Sequence, residues 1–212
     1  MRKPLDRSDR GFTMVELLVS MMIFSICIVM VTSALILVVR KYNDVQKTAD
    51  AESTLRLAVA QIDRQVRSGN VLYTPAGETT TGCTGDAATN SGTCMRIYTQ
   101  ANGVQKCVQW QVLDDTAHPG TKLLRSRSWD PAWTTTGDVS AWGVVAHGLK
   151  LDSTNPFRLE GASTPYKERL LDVRLLALDS RTGRTITVQE SLSGRNTSYG
   201  YSGTDCTPVP PA

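Results

Sequence analysis

Between residues 17 and 39 the chain contains no charged residue, no glycine and no proline. Nothing else in the sequence limits the fold so strongly. As a helix the segment would be about 35 Å long at 1.5 Å per residue. A hydrocarbon core is about 30 Å thick, so the segment can span one. At its very edge stands an acid, Glu16, and five residues before that a glycine, Gly11. A carboxylate so close to lipid costs on the order of a few kcal/mol and generally has a partner or a task.

Two simpler accounts of the segment fail. A secretory signal has an apolar region of about 7–15 residues followed by a small-residue cleavage site. This run is longer, and no such site follows it. A plain membrane anchor would need neither Gly11 directly before an aromatic nor an acid one turn later. The order is a short basic leader, Gly11, Phe12, Thr13, Glu16, then the apolar run. This order resembles the N-terminal signal of the type IV pilin and type II secretion pseudopilin superfamily. The resemblance implies that a prepilin peptidase cuts between Gly11 and Phe12 and that Phe12 becomes N-methylated. It also implies a role for Glu16, which would neutralise the terminal amine of a neighbouring subunit in a filament. Such a pair attracts far more strongly in a low-dielectric core than in water. The residues alone allow a plainer reading of Thr13-x-x-Glu16 as a capping box at the helix start.

The whole chain has 212 residues and a net charge of +3. Arg2, Lys3, Arg7 and Arg10 against Asp6 and Asp9 give the leader about +2 of that, so the rest is close to neutral. That balance makes no case for nucleic-acid binding. The basic leader favours a cytoplasmic N-terminus, although Arg40 and Lys41 after the run blunt the asymmetry. The expected location is the inner membrane, crossed once, with the C-terminal domain outside the cytoplasm and later assembled into a pilus or pseudopilus.

Five cysteines are present. Cys27 lies in the apolar run and reads as a small hydrophobe. Cys83, Cys94, Cys107 and Cys206 form an even set in the exported part, which suggests two disulfides. Three pairings are open. The preferred one joins Cys83 to Cys94 across a Gly/Thr-rich loop and leaves Cys107 and Cys206 to tether the tail. No C-x-x-C pair occurs, so neither a zinc site nor any cofactor is expected.

Past residue 39 the helical pattern continues. Tyr42, Val45, Ala49, Glu52, Leu55, Val59, Ile62 and Val66 recur at steps of three and four, an apolar stripe broken only by Glu52. One helix over about 13–68 follows, with Gly69 as a C′ residue ending it. A coiled-coil seam is the alternative use of the stripe; packing on the chain's own sheet is preferred because strand sequence follows. Residues 74–93, rich in Thr and Gly, read as a surface loop. Strands are expected at 95–99, 104–113 and 122–129, forming an antiparallel meander with an Asn102-Gly103 turn, and a further short strand at 144–151. Val104, Val108, Trp110 and Val112 share a face, and Trp133 and Trp142 flank a polar loop. Residues 155–165 read as loop, and strands at 168–178 and 184–192 close a final hairpin.

The expected fold is therefore α+β: a long N-terminal α-helix, transmembrane then amphipathic, on an antiparallel β-sheet domain. By range this is a leader at 1–11, a membrane or filament-core helix at 12–39, its amphipathic continuation at 40–69, a β domain at 70–196 and a loose tail at 197–212. The layout resembles the larger minor pilin subunits of the PilW/PulJ type, chiefly through the N-terminal residues. The resemblance implies partners: other pilin or pseudopilin subunits and the prepilin peptidase.

Catalytic signals are lacking. His118 and His147 are the two histidines, and neither has a nucleophile and orienting acid nearby in sequence. Asp114-Asp115 reads as a solvated turn rather than a calcium ligand. Arg125 and Arg127 share one strand face and read as an exposed face rather than a DNA contact. The conclusion is a structural, non-enzymatic subunit. A membrane-anchored binding domain that never polymerises is the alternative, and it would keep Met1.

Overall fold

A computed structural model describes residues 11–160, 170–178, 183–194 and 203–211. The chain forms two compact units, Met1–Gln46 and Lys47–Ala212. The helix α1, Met14–Ser68, begins in the first and ends in the second.

In the first unit α1 is apolar on all sides from Leu17 to Val39. Leu17, Met21, Phe24, Ile28, Leu35 and Val39 are all exposed, and the helix is long and apolar enough to cross a membrane. Its hydroxyl side chains are closed on the helix itself. Ser20 donates to the Leu17 carbonyl at 2.9 Å, and Ser25 to that of Met21 at 2.8 Å. Thr32 donates to Ile28 and Ser33 to Val29, each at 2.7 Å. Such back-bonding is how a hydroxyl is accommodated where the surroundings offer no partner.

In the second unit the stripe expected of α1 is buried from Leu55 onward: Leu55, Ala58, Val59, Ile62 and Val66 face the core. Tyr42 and Val45, counted in the same stripe, are exposed and belong to the first unit. Glu52 pairs with Arg56 one turn on, at 2.7 Å, outside the core. The strand β1, Gly69–Leu72, starts directly after the helix. Gly69 is needed for closeness rather than for a left-handed cap. A Cβ there would lie 2.8 Å from Ile97 Cγ2, closer than real Cβ atoms come, and a tight 3.1 Å from two helix carbonyls.

The loop 74–93 contains a single 3₁₀ turn at Pro75–Gly77 and two short strands, β2 Gly85–Asp86 and β3 Ser91–Gly92. Next come β4 Cys94–Thr99, β5 Lys106–Asp114 and β6 Lys122–Trp129. A short helix α2, Trp133–Thr136, leads to β7 Gly143–Lys150. Then β8 Phe157–Leu159 occupies ground expected to be loop, followed by β9 Leu170–Leu178 and β10 Thr185–Ser193. The turn joining the last two lies partly outside the described residues.

All pairings are antiparallel. β4, β5, β6 and β7 form the meander, with β1 on the outer side of β4. β9 has β10 along one edge for its full length. Its other edge is shared: β7 takes one end through Leu149 opposite Ala177, and β8 takes the other through Phe157 opposite Val173. The sheet thus curls, and the helix residues fill its inner face with Ile97, Trp110, Leu124, Phe157, Val173 and Leu175, each at most 1% exposed. This is the α+β arrangement of long helix and antiparallel sheet anticipated above.

The outer face departs from expectation. On β5, Val108, Trp110 and Val112 face the core, but Cys107, Gln109 and Gln111 on the opposite face are also buried. Val104 lies before the strand and is exposed. Cys107 is covered by the chain's own C-terminal segment, and Gln109 is held among Glu78, Thr80 and Arg127. Residues 203–211 are held against the sheet and are not loose. Cys206 is buried beside Tyr98, Cys107 and Trp129. Arg127, expected on an exposed face, is only 4% exposed.

Candidate functional site

Three groups of residues carry chemistry. The first is the N-terminal segment. Gly11 and Phe12 precede the helix and both are exposed, and a Cβ on Gly11 would meet nothing within 4 Å. Thr13 caps the helix, its Oγ1 accepting the Glu16 N–H at 3.3 Å. Capping uses only the backbone of Glu16. Among the described residues its carboxylate meets no cation, so the cap and a separate task for the carboxylate are compatible.

The second group is the polar layer on the outer face. β5 and β6 set Gln109 opposite Arg127 and Gln111 opposite Arg125. Arg127 donates from Nε to Gln109 Oε1 at 3.1 Å. Its two terminal nitrogens reach the carbonyls of Pro211 and Pro210 at 2.6 and 2.7 Å. Gln109 in turn donates to Glu78 Oε2 at 3.1 Å and Thr80 Oγ1 at 2.8 Å. Glu78 Oε1 accepts from Arg96 Nε at 3.0 Å, while Arg96 Nη1 donates to the Cys206 carbonyl at 2.7 Å. Trp133 Nε1 donates to the Pro208 carbonyl at 2.8 Å. Prolines suit this role because each offers an acceptor and no N–H needing a partner of its own.

Trp142 lies under both Arg125 and Arg127, with the guanidinium carbons 4.2 and 4.4 Å from its ring centre. Burial pushes the Glu78 carboxyl up, against the opposing pull of Arg96. Two disulfides join in: Cys83–Cys94 closes the polar loop, and Cys107–Cys206 ties the tail to β5. With its guanidinium and carboxylate groups paired inward, this layer acts as a clasp.

The third group brings together residues that the sequence offered only singly and without a task. Asp114 is exposed and pairs with Lys122 at 2.6 Å, but Asp115 is 3% exposed. The solvated-turn reading therefore fails for Asp115. Its Oδ1 accepts the N–H groups of Ala117 and His118 at 2.9 and 3.2 Å. Its Oδ2 lies 3.0 Å from His118 Nδ1 and 2.6 Å from His147 Nδ1. These contacts, that to His147 foremost, hold its carboxyl down at about 2. The one available signal was Asp115-x-x-His118 within a turn; nothing in sequence announced that β7 would bring His147 to it.

A family model for the prokaryotic N-terminal methylation motif matches residues 6–39. No curated protein and no solved structure matches the chain. The motif supports a type IV pilin-like or pseudopilin precursor, and with it a structural rather than a catalytic protein. It stops at residue 39 and does not reach the sheet domain. The apolar helix that carries it is consistent with single-pass membrane anchoring.

Proposed function

We propose that this protein is a minor subunit of a type IV pilus or type II secretion pseudopilus. The observation that carries the reading is the coincidence of the methylation motif with an apolar, uncovered helix whose hydroxyls are already satisfied. The peptidase cuts between Gly11 and Phe12 and methylates Phe12. Before assembly the helix spans the inner membrane with its N-terminus cytoplasmic. On assembly the helix exchanges lipid for the helices of other subunits, and Glu16 pairs with a neighbour's terminal amine, setting axial register. A minor rather than a repeating role follows from the size of the domain and its irregular loops, which would be costly to stack along a shaft.

Mass spectrometry of the native N-terminus tests the processing step: the expected mature chain begins at methylated Phe12, whereas a retained Met1 would defeat the reading. Glu16→Ala tests the assembly step separately. Incorporation into filaments should drop severely while processing continues. A purified filament holding this chain at the abundance of its main repeating subunit would rule out the minor role.

A further inference from the structure

We propose that Asp115, His118 and His147 form a binding site for a divalent transition ion of the zinc kind. Two imidazole nitrogens and one carboxylate oxygen are a donor set suited to such ions and poor for calcium or magnesium, which want oxygen ligands. One ligand atom from each residue lies within 4.8 Å of the other two. Tetrahedral zinc with bonds of about 2.0–2.1 Å separates its ligand atoms by about 3.3 Å. The two nitrogens stand 3.0 and 2.6 Å from Asp115 Oδ2. Widening each of these two separations to that value takes well under an ångström.

The local backbone places these atoms deliberately. Asp115 opens the turn between β5 and β6, where its N–H donates to the Thr121 carbonyl at 3.0 Å. The turn amides occupy Oδ1, which fixes the carboxylate and leaves Oδ2 facing the rings. His118 is held in the same turn, its carbonyl accepting from Thr121 N–H at 3.1 Å. His147 comes from β7 through a bulge. Lys122 pairs with Leu149 and Leu124 with Ala146, so β7 carries one residue more than β6 between these pairs. Gly148 takes φ +71 to allow it. Ala146 and Leu149 both point to the core, and His147 is turned outward.

Hydrogen bonds alone satisfy this cluster only if both Nδ1 atoms carry protons, because an ionised carboxylate can only accept. An ion in the same place would replace both protons and bind all three groups. The two imidazoles are about half exposed, so an ion can enter and water can complete its coordination. The site would join the β5–β6 turn to β7, which the Asp115–His147 hydrogen bond already links.

The test uses the full chain in detergent, purified with a histidine-free tag and with Cys27→Ser to remove the free thiol. The two site histidines are then the only ones present. Zinc is titrated against a chromophoric chelator, and cobalt binding is followed by its visible spectrum. One zinc per chain is expected. His118→Ala and His147→Ala should each weaken binding more than about 100-fold, beyond the loss outer-shell partners cause. His147→Gln keeps a hydrogen-bonding side chain beside Asp115 and should lose the metal while thermal unfolding of the metal-free protein changes little. Asp115 is left intact because it also holds the turn. No zinc bound by the parent chain, or equal binding by the histidine variants, would overturn the proposal.

Discussion

The two faces of β5 are both buried, and they are buried by different physics. On the inner face Val108, Trp110 and Val112 meet the helix and the sheet. Removal of apolar surface from water is enough to hold them, at roughly 25 cal/mol per Å². On the outer face Gln109 and Gln111 reach the same degree of burial among guanidinium groups, a carboxylate and main-chain carbonyls. Beside an apolar patch of Tyr98, Cys107, Trp129 and Cys206, the two buried amides must find partners to avoid a desolvation penalty of about 1–3 kcal/mol each. One face therefore tolerates changes that keep volume; the other tolerates few that change hydrogen bonding.

Substitutions can break that contrast in graded steps. The largest effect is expected from Trp110→Ala on the inner face. It removes a fully buried ring whose Nε1 donates to Gln65 Oε1 at 2.6 Å, and should cost about 3–5 kcal/mol in denaturant unfolding. Next is Cys107→Ser with Cys206→Ser. These residues close a loop of sequence separation 99, and their loss should cost about 2–5 kcal/mol. Hydrogen exchange should then quicken in residues 203–211 first, while the β4–β5–β6 ladder keeps its protection. Equal loosening of both faces would refute their independence.

A smaller cost, about 1–3 kcal/mol, is expected from Arg127→Met, which leaves Gln109 Oε1 and two proline carbonyls unpaired. Arg127→Lys should not restore it, because an ammonium lacks the planar fork. The smallest effect is a slope rather than a step. Burial raises the Glu78 pKa, so the folded state holds that proton more tightly than the unfolded chain. Between the ordinary carboxylate range and the raised folded value, stability should fall as pH rises, relative to Glu78→Gln. Parallel pH profiles for the two proteins would show that Glu78 titrates normally.

The same contrast explains what was legible in the sequence. Apolar periodicity announces a face that is buried for being apolar, so the helix from Leu55 to Val66, the meander and the hairpin of β9 and β10 could all be read. Arg125 and Arg127 alternate with serines on β6 and look like a solvated face. The register sets them opposite Gln111 and Gln109; the return of residues 203–211 then makes Arg127 interior, while Arg125 is half-buried against Gln111 and Trp142. Gly69 misled for a similar reason: its backbone looks like a helix stop, whereas the space it must leave belongs to Ile97, far along the chain. Asp115, His118 and His147 needed a bulge in β7 that no local rule foretells. The N-terminal motif was readable because its elements are adjacent in sequence and need no folding to meet.

The hydroxyls of α1 bear on how reversible any relocation of that segment can be. Between residues 17 and 39 each one already donates to a carbonyl of its own helix. Passing from hydrocarbon into a sheaf of other helices, or back again, would make and break no strong hydrogen bond along that length. Along that length shape fit would set the balance, and under the proposed function the Glu16–amine pair at its edge would supply the polar attraction that holds the segment in place.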